Sequence, residues 1–203
     1  MKVAIIKYNA GNVQSVLYAL QRLGIDASVT DDPNEIKAAD KVIFPGVGNA
    51  ASAMDYLKSK KLDQLIISLQ QPVLGICLGL QLLCNSSEEG NIKCLSIFNT
   101  EVKMFDDTIF RNTNLVPVKI PHMGWNTIRE LSSPIMQGIE ENSFVYFVHS
   151  YYAGLCDETI ATSDYINPFS AALQKSNFYG VQFHAEKSAE TGERILSNFL
   201  NIK

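Results

Sequence analysis

The chain has 203 residues, 46% of them hydrophobic, which is enough apolar material for one well-buried core, and a single domain over 1–203 is expected. Lys and Arg number 17 against 21 Asp and Glu, a net charge of −4, so no cationic excess stands ready to neutralise phosphates and nucleic acid is excluded as an expected partner. The apolar start is interrupted by Lys7 and is far shorter than a membrane span or a secretory core segment, so no membrane association and a cytoplasmic address are expected.

In chain order, residues 2–8 read as a buried strand. Val13, Val16, Leu17, Leu20 and Leu23 then recur at helical spacing, and Gly24 follows where a left-handed terminating residue is wanted. Residues 26–30 give a second strand, Pro33 opens a short helix, and residues 41–44 give a third strand running into Pro45-Gly46-Val47-Gly48. Residues 50–70 are helical in composition, as one piece or two, and residues 72–76 form a short apolar run of the kind a central strand needs. This alternation is the signature of a parallel sheet covered by helices on both faces. The second half changes character: residues 100–105, 115–120, 124–128, 144–148, 159–162 and 170–174 read as short strands, followed by a last apolar strand at 179–183 and an amphipathic helix at 189–200. The expected fold class is α/β, an open mixed, mainly parallel sheet with a smaller antiparallel extension.

Cysteines at 77, 84, 94 and 156 show neither the paired spacing of a zinc site nor the density of a disulfide scaffold, so reduced thiols and no metal are expected. Packing accounts for Cys84, Cys94 and Cys156. Cys77 differs, because in Gly75-Ile76-Cys77-Leu78-Gly79 a strand meets a helical run at a cysteine with glycines two residues to either side. That is the pattern of a nucleophile elbow with sulfur in place of oxygen. The tight turn would present sulfur at the C-terminal edge of the sheet, the start of the following helix would favour thiolate, and the Leu78 N–H would be free to hold an oxyanion. A buried cysteine in a core strand fits the same five residues. The 45–48 loop tips the balance, because adjacent strand ends in an open α/β sheet line one crevice and this loop could supply a second oxyanion donor.

A thiol nucleophile needs a base held in one tautomer by a third group. Of the three histidines, His184 closes the 179–183 strand with Glu186 two residues on, so an extended backbone places both side chains on one side. His149 also ends an apolar strand, but its nearest downstream acid, Asp157, is too distant along the chain, and His122 sits in a loop-like stretch that suits local packing.

The elbow GICLGLQLL and the late YGVQFHAEKS resemble the paired signatures of class I, or triad, glutamine amidotransferases, which have a flavodoxin-like fold. More closely, IIKYNAGN, PGVG at 45–48, PHMGWN at 121–126 and YFVHSYY at 146–152 resemble glutaminase subunits of imidazole glycerol phosphate synthases, over essentially the whole chain. The resemblance implies Cys77 as nucleophile, His184 as general base then acid, and Glu186 as the carboxylate orienting it. It also implies a glutamine pocket lined by Gly48, Gln81, Ser150 and Tyr151, with Val47 and Leu78 around the oxyanion and His149 as a pocket wall. No cofactor is implied. The implied partner is a (β/α)8 barrel cyclase, bound as a heterodimer, that uses the released ammonia to make imidazole glycerol phosphate and an aminoimidazole carboxamide ribotide in histidine biosynthesis, with Trp125, Lys187 and the PGVG edge as contact points.

Four positions depart from the family pattern. Lys7 and Asn9 stand in an opening that usually reads Asp-Tyr-Gly, Ala50 replaces an aromatic after PGVG, and Ala185 replaces a proline between His184 and Glu186, loosening the turn that aims the carboxylate. The first three keep open a paralogue that feeds ammonia to a surface-sugar-modifying partner.

Overall fold

The computed structural model describes residues 1–8, 12–106, 108 and 118–203. Its main sheet has seven strands in the order β11-β12-β13-β4-β3-β1-β2. The parallel part comprises β1 (Val3–Ile6), β2 (Ala27–Thr30), β3 (Lys41–Phe44), β4 (Val73–Ile76) and β13 (Phe178–Val181). Two antiparallel strands, β11 (Thr159–Asp164) and β12 (Pro168–Lys175), continue it from β13. A four-stranded sheet joins β5 (Ser86–Ser87), β6 (Ile92–Lys93), β7 (Glu101–Met104) and β10 (Tyr151–Ala153), and an antiparallel pair is formed by β8 (His122–Ile128) and β9 (Ser143–His149).

Strand alternation divides the core into two layers. Val3 and Ile5 of β1, Ile43 of β3 and Leu74 of β4 face one side, where they meet Val16, Ala19 and Leu20 of α1 (Val13–Arg22) and Ile195, Leu196 and Phe199 of α6 (Ala189–Leu200). Ala4, Ile6, Val42, Phe44 and Val73 face the other, against Ile36 of α2 (Pro33–Lys37), Met54 and Leu57 of α3 (Ala50–Ser59) and Leu62 and Ile66 of α4 (Leu62–Ser68). Burying β1 on both faces explains its unbroken apolar run, as parallel strands require.

Local signals set several boundaries. Gly24 has φ 75° and closes the turn after α1. The Asp32 carboxylate accepts from the Asn34 N–H at 2.7 Å, with Pro33 opening α2, and the Asn49 side chain accepts from Ser52 N–H at 3.1 Å at the start of α3. Lys61, at φ 57°, separates α3 from α4 within the stretch expected to be helical.

Differences from expectation concern the second half. The short strands β5, β6 and β10 have two or three residues each, too few for alternation to register. Of the strand expected at 115–120, residues 115–117 lie outside the described residues and 118–120 form no strand. Asn9 likewise lies outside the described residues. β13 ends at Val181, two residues before the expected limit, although the Gln182 N–H still donates to the Ala171 carbonyl at 2.8 Å.

Candidate active site

β3, β4 and β13 are neighbours in the sheet and run in parallel, so their C-terminal ends open at one place: the PGVG loop after β3, Cys77 after β4, and His184 after β13. Cys77 has φ 51° and ψ −106°, a strained conformation outside the regions open to most L residues, and α5 (Leu78–Leu83) starts immediately after it. The glycines make this packing possible. A Cβ on Gly79 would lie 1.9 Å from the Phe44 carbonyl oxygen, and one on Gly75 would lie 2.7 Å from the backbone of Gly79.

The sulfur is almost fully buried. Its atom stands 3.7 Å from the Val148 carbonyl oxygen and receives a hydrogen bond from Gln182 Nε2 at 3.6 Å. Gln182 is itself oriented, because Gln81 Nε2 donates to its Oε1 at 3.1 Å and so turns its amide nitrogen toward sulfur. Gln81 Nε2 also donates to the Tyr151 carbonyl at 2.8 Å. The sequence reading overlooked Gln182, although alternation along the strand puts it on the same side as His184 and a fully buried glutamine in an apolar strand demands partners.

His184 Nδ1 and Glu186 Oε1 are 2.8 Å apart, with both side chains only 2% exposed. A three-residue 3-10 turn, Ala185–Lys187, bends the chain so that the two meet without the proline. Burial by itself lowers the imidazole pKa, but its hydrogen bonds to Cys77 and to Glu186, with the charges of both, raise it to about 10. At neutral pH His184 is therefore an imidazolium between sulfur and carboxylate.

The remaining histidines have the opposite character. His149 Nδ1 must donate to the Tyr151 carbonyl, 2.8 Å away, because a carbonyl only accepts. That leaves its Nε2 to accept from His122 Nδ1 at 3.0 Å, and His122 Nε2 to face the Asn126 amide at 3.4 Å. His122 is also stacked between Phe147 and Tyr165, at centroid distances of 4.8 and 3.9 Å. Burial lowers His122 to about 4. It also lowers His149, to about 3, with His122 and His184 adding repulsion against the Tyr151 hydrogen bond.

These shifts have opposite linkage. The pair, depressed in the fold below the ordinary 6.5, stabilises the protein above about pH 6.5, and that stability is lost as pH falls toward 4 and 3. His184, raised in the fold, stabilises below about pH 6.5, and that contribution is lost as pH rises through about 10. Histidine-detected NMR at pH 7.5 should therefore show one imidazolium and two neutral rings. Three rings titrating together near 6.5 would contradict this account.

A cleft of about 300 Å³ opens in front of the sulfur. Cys77 and every position expected to shape the pocket or the oxyanion site, Val47, Gly48, Leu78, Gln81, Ser150 and Tyr151, line it, together with His149. Glu89, which the sequence reading missed, lines it as well. Its Oε2 caps α3 by accepting from the Ala50 N–H at 2.7 Å. In sequence it is one of two adjacent glutamates in a polar stretch, so its position became visible only in the fold. The Leu78 N–H, expected as an oxyanion donor, is directed at the Gly46 carbonyl over a long 3.4 Å.

The other three thiols stand away from this cleft. Burial raises Cys84 well above the usual thiol range, Cys94 to about 11, and Cys156 by less. All four cysteines are free, and among the described residues no group of three or more His, Cys, Asp or Glu is arranged to hold a metal ion. No described helix is long and apolar enough to cross a membrane.

The family model for class-I glutamine amidotransferases matches residues 4–202. Imidazole glycerol phosphate synthase subunit HisH of Bacteroides thetaiotaomicron is 56% identical over 202 residues, with 100% of both chains covered, and that of Bacteroides fragilis strain NCTC 9343 is 58% identical with the same coverage. HisH of Shewanella loihica is 47% identical, covering 98% of this chain and 89% of its own. Among solved structures, a glutamine amidotransferase of Thermotoga maritima superposes with a TM-score of 0.66 at 18% identity, covering 99% of this chain and 83% of its own, a likeness of fold. With a family model spanning nearly every residue and full-length relatives above half identity, the chain belongs to the class-I glutamine amidotransferases, in the branch of the imidazole glycerol phosphate synthase HisH subunits.

Proposed function

We propose that Cys77, His184 and Glu186 hydrolyse glutamine to glutamate and ammonia, and that the chain passes the ammonia to a cyclase subunit in histidine biosynthesis. The observation that carries this reading is the buried His184–Glu186 pair at 2.8 Å, brought beside a cysteine at a strained strand-to-helix turn whose charge acts on the imidazole.

Sulfur, as thiolate, attacks the side-chain carbonyl of glutamine to give a tetrahedral oxyanion. The Leu78 N–H and the PGVG loop, with Val47, hold that oxygen, which requires it to displace the long contact from Leu78 to Gly46. His184 gives its Nε2 proton to the amide nitrogen, the C–N bond breaks and ammonia leaves. A water then loses a proton to the same imidazole and attacks the glutamyl thioester, releasing glutamate and restoring the sulfur. Gly48, Gln81, Ser150 and Tyr151 shape the pocket around the substrate. The Glu89 carboxylate adds a negative charge suited to the α-ammonium group. Glu89→Gln should therefore raise KM for glutamine by about tenfold while leaving kcat within about twofold. An unchanged KM would remove Glu89 from the binding site.

A partner is supported by the surface beside the site. Met123 and Trp125 of β8 and Phe144 of β9 are each more than half exposed, and Trp125 packs edge-on to Tyr146. Tyr146 in turn accepts the His184 N–H through its carbonyl at 2.9 Å, so this apolar face is one residue from the triad. Lys187 is exposed next to it. A (β/α)8 barrel cyclase covering that face would receive ammonia directly, in the cytoplasm. Glutamate release should rise strongly when the cyclase and its nucleotide ligand are added to this chain. No stimulation by a folded cyclase would remove the cyclase as the partner that gates this site.

A further inference from the structure

The carboxylate of Glu186 is held by more than its histidine. Oε1 accepts from His184 Nδ1 at 2.8 Å and also from Asn12 Nδ2 at 3.2 Å, across 174 positions of sequence. Among the described residues, Glu186 Oε2 is buried without a hydrogen-bond partner, so Asn12 is the second anchor described for this group. The orientation of the asparagine amide follows from chemistry. An ionised carboxylate only accepts, so the amide nitrogen faces Glu186 and Oδ1 faces Ser15, whose hydroxyl donates to it at 2.5 Å.

The backbone is arranged for this contact. Asn12 precedes α1 with φ 68° and ψ 18°, a left-handed conformation that asparagine tolerates better than most L residues. Its side chain makes no cap hydrogen bond to α1. Its oxygen accepts from the Ser15 hydroxyl of α1, while its NH2 group donates to the far end of the chain. The opposite side of the contact needs it, because Ala185 leaves the backbone torsion before Glu186 unfixed where a proline would set it, and the 3-10 turn has no side-chain cap.

We propose that Asn12, braced by Ser15, is a positioning residue that holds Glu186 where it fixes His184 with Nδ1–H toward the carboxylate and Nε2 toward Cys77. The inference rests on the glutaminase reading of the triad and extends it by one link, from the loop before α1 into the reacting groups. The titratable groups facing His184 are Cys77 from the elbow, Glu186 from its own turn and His149 from β9. Of these, the hydrogen bond to Glu186 is the one that Asn12 governs.

The test uses the full chain with Asn12→Gly, which keeps the positive φ unstrained while removing the amide, and Ser15→Ala, which removes only the brace. Two readouts are taken: glutaminase kinetics in the presence of the cyclase, and the Nδ1–H resonance and alkaline midpoint of His184 by nitrogen-15 NMR. Asn12→Gly should lower kcat by about tenfold with KM for glutamine unchanged, move the His184 midpoint below its position near 10, and weaken the Nδ1–H signal. Ser15→Ala should shift both readouts the same way by less. Asn12→Asp, which sets a second carboxylate against Glu186, should be worse than glycine. A folded Asn12→Gly with unchanged His184 resonance and midpoint overturns the inference, whether or not kcat falls, because lost activity alone would be a structural effect. Should Asn12→Gly not fold, unchanged His184 signals in Ser15→Ala overturn it. Were the parent chain to turn over no glutamine, the glutaminase reading would fail by itself, and the NMR readout would still decide whether Asn12 fixes the ring.

Discussion

Cys77→Ala should reduce glutamine hydrolysis on the order of 10⁴-fold or more, because the sulfur is both the attacking atom and the site of the thioester, and no neighbouring group can replace it. The other three thiols are raised by burial, and Cys84, in the same apolar run, is wholly enclosed. The substitution removes one buried atom and keeps the backbone turn, so folding and partner binding should survive. Ammonia-dependent synthesis by the complex should then proceed at the parent rate. The imidazole should respond as well: without the hydrogen bond and charge of Cys77, His184 should titrate below about 10. Glutamate release persisting in the variant would take Cys77 out of the mechanism, and an unshifted imidazole would separate it from His184.

Gly79→Ala should unfold or severely destabilise the protein, although it adds a single methyl group to a residue that supplies no reacting side chain. That methyl would lie 1.9 Å from the Phe44 carbonyl oxygen and 2.9 Å from its carbon, both backbone atoms of the strand that leads into the PGVG loop. No rotamer relieves a backbone clash, so β3 and α5 must separate, at a cost of about 3 kcal/mol or more. Any population that still folds should be a poor glutaminase, since the same movement shifts the 45–48 loop relative to Leu78. Thermal denaturation beside the parent chain decides the matter. A Gly79→Ala variant with unchanged Tm and turnover would show that the elbow does not need this approach.

These two substitutions mark what the sequence could reveal. G-x-C-x-G carries its own steric logic, since a cysteine at positive φ between a strand and a helix needs neighbours without side chains, and a Cβ at 75 or 79 would meet backbone at under 3 Å. The His-x-Glu pair was legible from an extended-backbone argument, which puts residues two apart on one side, but the structure joins them differently: His184 ends an extended stretch and the 3-10 turn 185–187 folds Glu186 back onto it. The parallel half of the sheet was equally legible, because strands buried on both faces are continuous apolar runs between helical repeats.

What escaped was set by long-range packing. Gln182, Asn12 and Glu89 reach the site from 105, 174 and 39 positions away from the residues they contact, with no local pattern to announce them. The strands β5, β6 and β10 are recruited by pairing with β7 and with one another and are too short to carry a period of their own. The departures at Lys7 and Ala50 leave the full-length match to HisH relatives intact, so they do not mark a different branch.

The central claim is that glutamine enters the 300 Å³ cleft and becomes bound through sulfur to Cys77. Intact-mass analysis of the chain after incubation with a glutamine-mimicking electrophile tests this most directly, with peptide mapping to locate the adduct. The account predicts a single adduct on Cys77, slowed by added glutamine and absent from Cys77→Ala, with Cys84, Cys94 and Cys156 unmodified. Labelling spread over the other thiols, or labelling of Cys77 indifferent to glutamine, would contradict it.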